Sequence, residues 1–552
     1  MNGFAGIYAQ RSFDNEAIGC VDGEVGEMLD ERRRKWGFME SAPLEVELKL
    51  EVMPKSLARL RRHPAFAGQD GNAGATQKLI SVYYDTPDFL LRRKGLSLRL
   101  RMNGKGQKRI QTIKADQGRT AGLFERSEWE RKVDGNHPDL SEVRGTALEP
   151  LLSAGIAARL KPVFETRIER TVVRRREDGS DIELTLDNGV IDTGDRSVPL
   201  TELELELKSG APAKLFELAK KLGGAVPLRL SAMSKAARGY ELLDSTTEGP
   251  VKANPLTIPQ GTTSAAAFRL IGRSCLHQLV ANEPLMSAGN PEALHQMRIG
   301  LRRFRAAVSV FSEIVDDDEI AVIKRELNWV GTLLGKARDI DVLIGEVLHP
   351  VRKEHRDEPG IGALVARSEQ RRARAYRTAA TAVGSARYRK VLLATAAWVE
   401  AGAWSTTGHE AAKARRERSI ELFAPAELAR RHKKVRKLGK HEDKLDVRGR
   451  HKFRIRIKKL RYATLFFSEL ITGKRNRKRC NAALDSMKRL QDALGELNDI
   501  AVRTRPSRDG STHDRPFAAA LLLRHQQARV QPLKNAASRA YDDFAAVKPF
   551  WT

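Results

Sequence analysis

The segment EVELKLEV, residues 45–52, alternates charged and apolar residues without interruption. Successive side chains of a β-strand point to opposite faces, so the segment predicts a strand with one charged and one apolar face. Two arrangements satisfy this pattern. In an open antiparallel sheet, the charged face meets water and forms ion pairs between strands. In a closed barrel, the charged face lines the lumen and the apolar face packs outward against helices.

The same alternation recurs along residues 43–245. It is found in SLRLRM (97–102), RSEWERK (126–132), IELTLD (182–187) and TELELELK (201–208), with turn sequences such as NGKG and EDGSD between segments. A stretch rich in Thr, Pro and Gly follows, and residues 246–261 are predicted to be a linker. Residues 262–550 are rich in Ala, Leu, Arg and Lys with helical periodicity. The predicted fold class is a multidomain α+β protein with an antiparallel β domain followed by an all-α domain.

The net charge of +28 is concentrated in the second half. Residues 1–250 contain 40 Lys and Arg against 38 Asp and Glu, whereas residues 251–552 contain 58 against 32. A positive field of this size attracts polyanions such as nucleic acid, acidic lipid or polyphosphate.

No segment is apolar over the roughly 18 residues that a membrane helix needs, and no secretory signal pattern is visible. Three widely spaced cysteines suggest no disulfide framework, so a cytoplasmic protein is predicted.

The helical half contains an internal repeat. HQMRIGLRRFR begins at His295 and HKFRIRIKKLR begins at His451, and each is followed by an echo, LGKARDIDV or LGELNDIAV. Both copies place His, Arg, Arg or Lys, and Arg at offsets 0, 3, 7 and 10, which fall within an arc of about 80° on an α-helix. Two matched segments in the same order indicate an internal duplication. The two basic faces predict a channel in which Arg and Lys side chains grip phosphates.

The chemistry of a charged lumen points in the same direction. Glu, Arg and Lys in a lumen are costly to desolvate unless ions fill it. Carboxylates bind divalent cations, and Arg and Lys bind oxyanions such as phosphate, so the two together suit a metal–polyphosphate complex. Six segments, taken in order along residues 43–245, resemble the CYTH superfamily, the triphosphate tunnel metalloenzymes. They are EVELK, YYDTPDFLLRRKGLSLRLR, QTIKA, RSEWE, TELELELKSG and SKAARGY.

The resemblance implies a β-barrel tunnel with flanking helices that hydrolyses a triphosphate with Mg²⁺ or Mn²⁺. The implied metal ligands are Glu45, Glu47, Asp187, Glu204 and Glu206. The implied phosphate-binding residues are Lys49, Arg99, Arg101, Lys114, Arg126, Arg170 and Lys235. Glu45, Glu47, Lys49 and Lys235 are the implied catalytic residues, and Glu128, Glu130 and Glu202 complete the tunnel acids. Spacing leaves open which of Glu202, Glu204 and Glu206 touch metal, and each residue taken alone also fits an ion-pair partner in the wall.

The paired His motifs and echoes, within residues 262–550, resemble the CHAD domain, a helical domain that accompanies CYTH domains. The resemblance implies a duplicated four-helix bundle around a basic cavity that binds inorganic polyphosphate. The implied binding residues are His295, Arg298, Arg302, Arg303, Arg305, His451, Arg454, Lys458, Lys459 and Arg461. Asp339 and Asp499, in the echoes, either orient these side chains or serve as helix caps. Nucleic acid is a rival polyanion, but no aromatic-interleaved basic motif or zinc finger is present, so neither nucleic acid nor membrane is expected as a partner.

We therefore expect hydrolysis of inorganic triphosphate to pyrophosphate and phosphate, with polyphosphate bound by the helical domain, in a cytoplasmic protein associated with polyphosphate granules. The resembled family also contains adenylate cyclases and thiamine triphosphatases, but the aromatic content of 6% favours the inorganic substrate. The alternatives are a non-catalytic polyphosphate-binding protein, a CYTH-type adenylate cyclase and an organic triphosphatase. Residues 1–42 are interpreted as a leader, with translation starting at Met39, and the basic segment 400–450 has no assigned place in the repeat.

Overall fold

The computed structural model describes residues 44–67, 74–103, 109–116, 121–143, 148, 152, 154–244, 249–356, 358–406, 408–503 and 516–551. The predicted leader, residues 1–42, lies outside the described residues, as does the proposed start at Met39.

Alternating strands form the N-terminal half. Their bounds are β1 Leu44–Val52, β2 Ala75–Asp85, β3 Leu96–Asn103, β4 Arg109–Asp116, β5 Leu123–Val133, β6 Lys161–Glu177, β7 Ser180–Asp192, β8 Ser197–Ser209 and β9 Leu228–Leu230. They are hydrogen-bonded in the order β5-β4-β3-β2-β6-β7-β8-β1-β9, and an additional antiparallel pairing of β5 with β1 closes eight of them into a barrel. The expectation of an antiparallel barrel is confirmed, and the open-sheet alternative is wrong.

The pairing register aligns the charged residues of three neighbouring strands into rows. Across β1, β8 and β7, Glu47, Glu206 and Glu183 lie directly opposite one another. The next row contains Lys49, Glu204 and Thr185, and the following one contains Glu51, Glu202 and Asp187. The intervening leucines, among them Leu48, Leu203, Leu205 and Leu184, are fully buried on the outside of the barrel. Because side chains alternate along each strand, one register places every acid of TELELELK on the lumen side.

Helices cover the barrel and form the C-terminal half. The helices of the barrel region are α1 Leu57–Arg61, α2 Leu90–Arg93, α3 Ala154–Ala157, α4 Ala213–Ala225 and α5 Lys235–Leu243. The helical half contains α6 Ser264–Val280, α7 Glu283–Ser287, α8 Pro291–Val310, α9 Glu319–Val342, α10 His349–Glu354, α11 Pro359–Val383, α12 Ala386–Ala401, α13 Glu410–Glu417, α14 Ile420–Gly439, α15 Val447–Phe467, α16 Lys474–Arg503, α17 Pro516–Ala528 and α18 Val530–Ala546. A π-helical turn, Leu343–Leu348, follows α9. None of the described helices combines the length and apolar character needed to cross a membrane.

The internal repeat is visible as two helix pairs. The first His motif lies on α8 and its echo on α9, while the second motif lies on α15 and its echo on α16. Both motif helices begin at an acid or amide cap: Asn290 accepts a hydrogen bond from Ala293 N at 2.9 Å, and Asp446 accepts one from Gly449 N at 2.6 Å. The two motif helices also pack against each other, which brings their basic residues into one region.

The two halves share a continuous hydrophobic core. Helix α12 packs on α4 and β9 of the barrel region. Arg273 on α6 donates hydrogen bonds to Glu125 of β5 at 2.7 and 3.0 Å, and to Glu400 of α12 at 2.7 Å. The described part of the predicted linker is held in place, because Asn282 exchanges two 2.9 Å hydrogen bonds with the backbone of Val251, and Ile258 is buried. The barrel and the helices are therefore not joined by a free tether.

The outer leucine layer should carry much of the barrel's stability. Replacing Leu205, which is fully buried, by alanine removes apolar contacts and leaves a cavity, so we expect a loss of about 2–5 kcal/mol in the free energy of unfolding. Urea denaturation followed by circular dichroism measures this loss. Leu44→Ala is the control, since Leu44 is 56% exposed at the start of β1. Equal midpoints for both variants would contradict the burial of this layer.

Candidate functional site

The lumen of the barrel contains a polar cavity of about 170 Å³. Side chains of both charges and several hydroxyl groups line it: Glu45, Glu47, Lys49, Tyr83, Ser97, Arg99, Arg101, Thr112, Lys114, Arg126, Glu128, Glu130, Arg170, Glu183, Thr185, Glu204, Glu206, Lys208, Ser234, Lys235 and Ala236. Thirteen of the fifteen predicted tunnel residues belong to this lining. The other two, Asp187 and Glu202, are fully buried in the wall behind it.

One wall of the cavity is acidic. Glu47, Glu206 and Glu183 lie opposite one another on adjacent strands, an arrangement that repels unless a cation lies between the carboxylates. Burial raises the pKa of Glu206, and the negative charges of Glu45 and Glu183 raise it further, although Lys208 donates a 2.6 Å hydrogen bond to it. Glu206 thus has Lys208 as its ion-pair partner among the described residues, whereas Glu47 is paired with Lys49 and Arg126.

The opposite wall is basic. Strand β3 contributes Arg99 and Arg101, and β3 lies four strands away from β8 around the eight-stranded ring. Burial and then the nearby guanidinium groups of Arg99 and Arg170 lower the pKa of Arg101 to about 10, against the attraction of Glu130. Arg101 forms no ion pair and no hydrogen bond with any described residue. An anion bound beside it would relieve this repulsion.

Ion pairs connect the two walls near the ExExK strand. Lys114 donates to both oxygens of Glu45 at 2.7 and 2.6 Å, and Arg126 donates to Glu47. Lys49 lies 2.9 Å from Glu47 and also donates to Glu204. Burial alone would raise the pKa of Glu45, but Lys114, Arg126 and Lys49 lower it to about 2. Glu45 therefore stays a carboxylate at all ordinary pH values.

A second group of charges lies deeper in the wall. Asp187, Glu202 and Glu204 offer carboxylate oxygens within 4.8 Å of one another, the spacing of a possible metal site. The ammonium group of Lys235 reaches all three: it lies 2.8 Å from Asp187 and 2.9 Å from Glu204, and it donates to Glu202. Arg170 adds a two-pronged contact to Asp187 at 2.8 and 2.6 Å. A metal ion at this triad would have to displace the lysine.

Two segments far apart in the sequence meet to position Lys235. This residue is the first of α5, whose start is capped by Ser234 accepting a 3.1 Å hydrogen bond from Ala237 N. The far end of α5 is anchored by Tyr240, which donates a 2.7 Å hydrogen bond to the fully buried Asp85. Asp85 also accepts hydrogen bonds from Leu91 N and Arg92 N and so caps α2. The YYDTP and SKAARGY segments thus hold the lysine at the lumen.

Two sets of carboxylates, the acidic wall and the buried triad, could hold a divalent cation, and both include carboxylates already paired with basic side chains. Glu47, Glu206 and Glu183 are aligned across three strands and face the cavity, and carboxylate oxygens are the ligands that Mg²⁺ and Mn²⁺ prefer. In the triad, Lys235 and Arg170 already supply positive charge. Lys114, Lys49 and Arg126 supply positive charge to Glu45 and Glu47 in the same way, so a cation in either place would have to displace basic side chains.

Sequence reasoning missed several lining residues. Glu183 and Thr185 share the period-two face of IELTLD with Asp187, so the alternation that identified Asp187 could have identified them too. Tyr83 stacks on Phe164 with ring centroids 4.5 Å apart and lies opposite Arg99 on the next strand. No sequence signal separates Tyr83 from its neighbour Tyr84, whose hydroxyl instead donates to the backbone of Asn136 at 3.0 Å.

A second cluster of cations lies in the helical half. It combines Lys458 on α15 with Arg454 on the same helix and with Arg298, Arg302 and Arg305 on α8. Burial and the repulsion of the four arginines together lower the pKa of Lys458 to about 7. Both copies of the motif therefore contribute to one strongly basic site, which we call the motif cluster.

The glycines of the two echoes make room for the motif arginines. A Cβ atom on Gly335 would lie 2.8 Å from Nη1 of Arg298, and one on Gly495 would lie 3.2 Å from Nη2 of Arg454. The LG pair of each echo thus holds the arginine of its own motif in the same way. Asp339 lies 3.8 Å from Arg298 and is largely exposed, which fits an orienting contact and not a helix cap.

Other predicted residues of the helical half lie elsewhere. Arg303 is buried and donates to Gln278 at 2.8 Å and Ser274 at 3.3 Å, and Arg461 is also buried. Lys459 lies near Arg431 and Lys434, on another side of α15. His451 is exposed and His295 half-buried, while Asp499 is exposed at the end of its echo. Spacing within one helix does not reveal which side its neighbours cover.

The low pKa of Glu45 has a consequence for acid stability. Its folded pKa of about 2 lies below the ordinary value of 4.5, so the folded state binds this proton less readily than the unfolded state. The pairing stabilises the fold above about pH 4.5, by about 3 kcal/mol, and this stabilisation is lost as the pH falls toward 2. Glu45→Gln should therefore flatten the decline of unfolding free energy over this range. An unchanged slope would show that Glu45 is not paired.

The comparisons with known proteins agree with the division of the chain into two parts. Residues 43–240 match the family model "CYTH domain" and residues 270–505 match the "CHAD domain". An inorganic triphosphatase of Haemophilus influenzae is 32% identical over 204 residues, which is 36% of this chain and 54% of that protein, so the chain spans about half of its length. A Mycobacterium tuberculosis protein of uncharacterized function is 26% identical over 465 residues, which is 76% of this chain and 81% of that protein.

Among solved structures, the crystal structure of the CHAD domain from the plant Ricinus communis matches 55% of this chain. The match includes 98% of the plant chain, with 27% identity and a TM-score of 0.46. The protein therefore combines a CYTH domain with a CHAD domain in one chain.

Proposed function

We propose that the barrel hydrolyses inorganic triphosphate to pyrophosphate and phosphate with Mg²⁺ or Mn²⁺, and that the motif cluster binds inorganic polyphosphate. The observation that carries the first part is the division of one lumen into an acidic and a basic wall. A complex of a divalent metal with a chain of phosphates has the same two faces. The predicted domain limits, 43–245 for the barrel and 262–550 for the helices, belong to this proposal, as does the cytoplasmic location.

The basic wall would bind the phosphates. Arg99, Arg101 and Arg170 present guanidinium groups that match the geometry of phosphate oxygens. Lys114 and Arg126 now pair with Glu45 and Glu47, so they can exchange a carboxylate for a phosphate when the substrate enters. Lys235 stays held by Asp187 and Glu202 and contributes a fixed positive charge.

Glu45, Glu47 and Glu206 would hold the metal on the acidic wall. When bound, a divalent cation neutralises phosphate oxygens and helps to activate water for in-line attack on phosphorus. The protein's own part is orientation, since the closed barrel fixes carboxylates and guanidinium groups on rigid strands facing each other. No nucleophilic side chain is required.

One feature of the cavity lining bears on the substrate. The aromatic ring lining the cavity, Tyr83, is buried against Phe164, and its face is thus unavailable to stack on a base. This supports inorganic triphosphate over ATP. Production of cyclic AMP from ATP would instead support a cyclase, and release of thiamine diphosphate an organic triphosphatase.

Neutralising one carboxylate of the acidic wall tests the barrel's activity. Glu47→Gln keeps the side-chain shape but removes a charge that Lys49 and Arg126 contact, so we expect phosphate release from triphosphate to fall about 100-fold and to need more metal. The assay measures phosphate release against Mg²⁺ and Mn²⁺ concentration, with ATP and long-chain polyphosphate as rival substrates.

Glu51→Gln is the matched control. Glu51 lies two residues beyond Lys49 on the same face of β1, but it pairs with Arg229 and Arg238 outside the cavity lining. The Glu51→Gln variant should release phosphate from triphosphate within about threefold of the wild-type rate. Equal loss in both variants would indicate a general effect on folding. No hydrolysis by wild type, with polyphosphate still bound, would make the protein a binding protein only.

The motif cluster makes polyphosphate binding sensitive to pH. Free Lys458, with a pKa of about 7, is largely neutral at pH 8, and phosphates beside it would restore its proton by screening the four arginines. Affinity should therefore fall as the pH rises from 7 to about 9, with proton uptake on binding. Titration calorimetry at pH 8 in buffers of different ionisation enthalpy measures this uptake. Lys458→Arg, which stays charged, should abolish it; equal uptake by both proteins would contradict the assignment.

A further inference from the structure

Helices α14 and α15 carry a second row of cations on their outer side. Lys434 and Lys437 on α14, and Lys452, Arg456 and Lys459 on α15, are all exposed, and we call them the outer strip. The two helices pack together, and Arg456 donates a 3.2 Å hydrogen bond to the backbone carbonyl of Lys434. Lys437 and Lys452 each lie about one turn further along the row. Lys434 and Lys437 lie in the basic segment 400–450 that had no place in the repeat, whereas Lys452, Arg456 and Lys459 lie in the second His motif.

The outer strip is separate from the motif cluster although both use α15. On an α-helix, Arg454 and Lys458 lie about 160° around the axis from Arg456. Helix α15 therefore has two cationic sides: one faces α8 and the other faces outward with α14. Lys459, predicted as part of the motif site, belongs to the outer side.

Nothing acidic balances the outer strip along its two helices. The sequence contains no Asp or Glu from 428 to 441 or from 447 to 468. None of the five cations forms an ion pair with a described residue. Burial lowers the pKa of Lys459, and repulsion from Arg431 and Lys434 lowers it further. Such a surface has unsatisfied attraction for a polyanion.

The other copy of the repeat shows that the motif does not require this strip. The positions matching Lys452, Arg456 and Lys459 are Gln296, Gly300 and Arg303, and all three are buried. A Cβ on Gly300 would lie 3.1 Å from the backbone oxygen of Cys275 on α6. The first copy uses this side for packing, whereas the second copy leaves it open and basic.

The chemistry of the strip selects among polyanions. None of its five side chains is aromatic, so none offers a ring on which a base could stack. The large exposed apolar residues of its two helices are Leu422, Val447 and Ile455, which are spread over both helices and too few for a protein or lipid interface. Flexible lysines and an arginine spaced by helical turns suit a flexible chain of phosphates. A chain already held at the motif cluster would meet the strip at high effective concentration.

We propose that the outer strip is a second binding surface for long-chain inorganic polyphosphate, reached by chains that extend beyond the motif cluster. The proposal rests on the proposed function, in which the motif cluster binds polyphosphate. It makes affinity depend on chain length, since only a long chain can occupy both sides of α15.

The test compares full-length variants with polyphosphate of about 10 and about 100 phosphates. The strip variant is Lys434→Gln/Arg456→Gln/Lys459→Gln. The control variant, Lys353→Gln/Arg371→Gln/Lys413→Gln, removes the same charge from exposed residues of the helical half that form no ion pair with described residues. Fluorescence anisotropy of end-labelled chains at fixed salt gives each affinity, and thermal melting verifies that both variants fold.

We expect the strip variant to lose about tenfold or more in affinity for the long chain, with short-chain affinity within about twofold of wild type and of the control. Long-chain affinity equal to that of the control would overturn the second surface while leaving the proposed function standing. Equal losses for both lengths would also overturn it, because the strip would then belong to the first site. Loss of duplex DNA or RNA binding in place of polyphosphate binding would assign the strip to nucleic acid. If wild type binds neither chain, the proposed function itself fails.

Discussion

The pairing of β1 with β5 is the constraint on which the barrel depends. By closing the sheet, it forces the charged faces of eight strands into one narrow lumen and leaves their apolar faces outside. Buried charges are stable only when they are paired. Lys114 with Glu45, Arg126 with Glu47, and Lys235 with Asp187 therefore hold the structure together, and the same side chains are those a charged substrate would engage.

This double use of the charges explains the arrangement of the lumen. Under the proposed function, pairs that face the cavity, such as Glu45 with Lys114, would be exchanged for metal and phosphate at little net loss, because each partner would gain a new counter-charge. Asp187 and Glu202, which lie behind the lining, keep Lys235 in place during such an exchange. Buried carboxylates that fix Lys235, behind ion pairs that can exchange partners, let a site bind highly charged molecules without losing its shape.

In the helical half, the concentration of charge arises from duplication of the His motif. Two motif helices bring four arginines around Lys458, whose pKa is lowered by burial and by their repulsion, and Asp339 lies 3.8 Å from one of them, Arg298. The two copies have since diverged on their other sides. The first buries Gln296, Gly300 and Arg303 against α6, and α6 in turn binds the barrel through Arg273 and Glu125. The second exposes Lys452, Arg456 and Lys459 to solvent.

The sequence alone determined which residues share a strand or helix face, because periods of 2 and 3.6 are set by local backbone geometry. EVELKLEV, TELELELK and the His motifs were readable for that reason, and so were thirteen of the residues that line the cavity. Only the tertiary structure decided what each face meets. It placed Asp187 behind the lumen, Tyr83 beside Arg99, Arg303 in the core and Lys459 on the outer side, since burial and partners depend on strand register and helix packing between segments far apart in the chain.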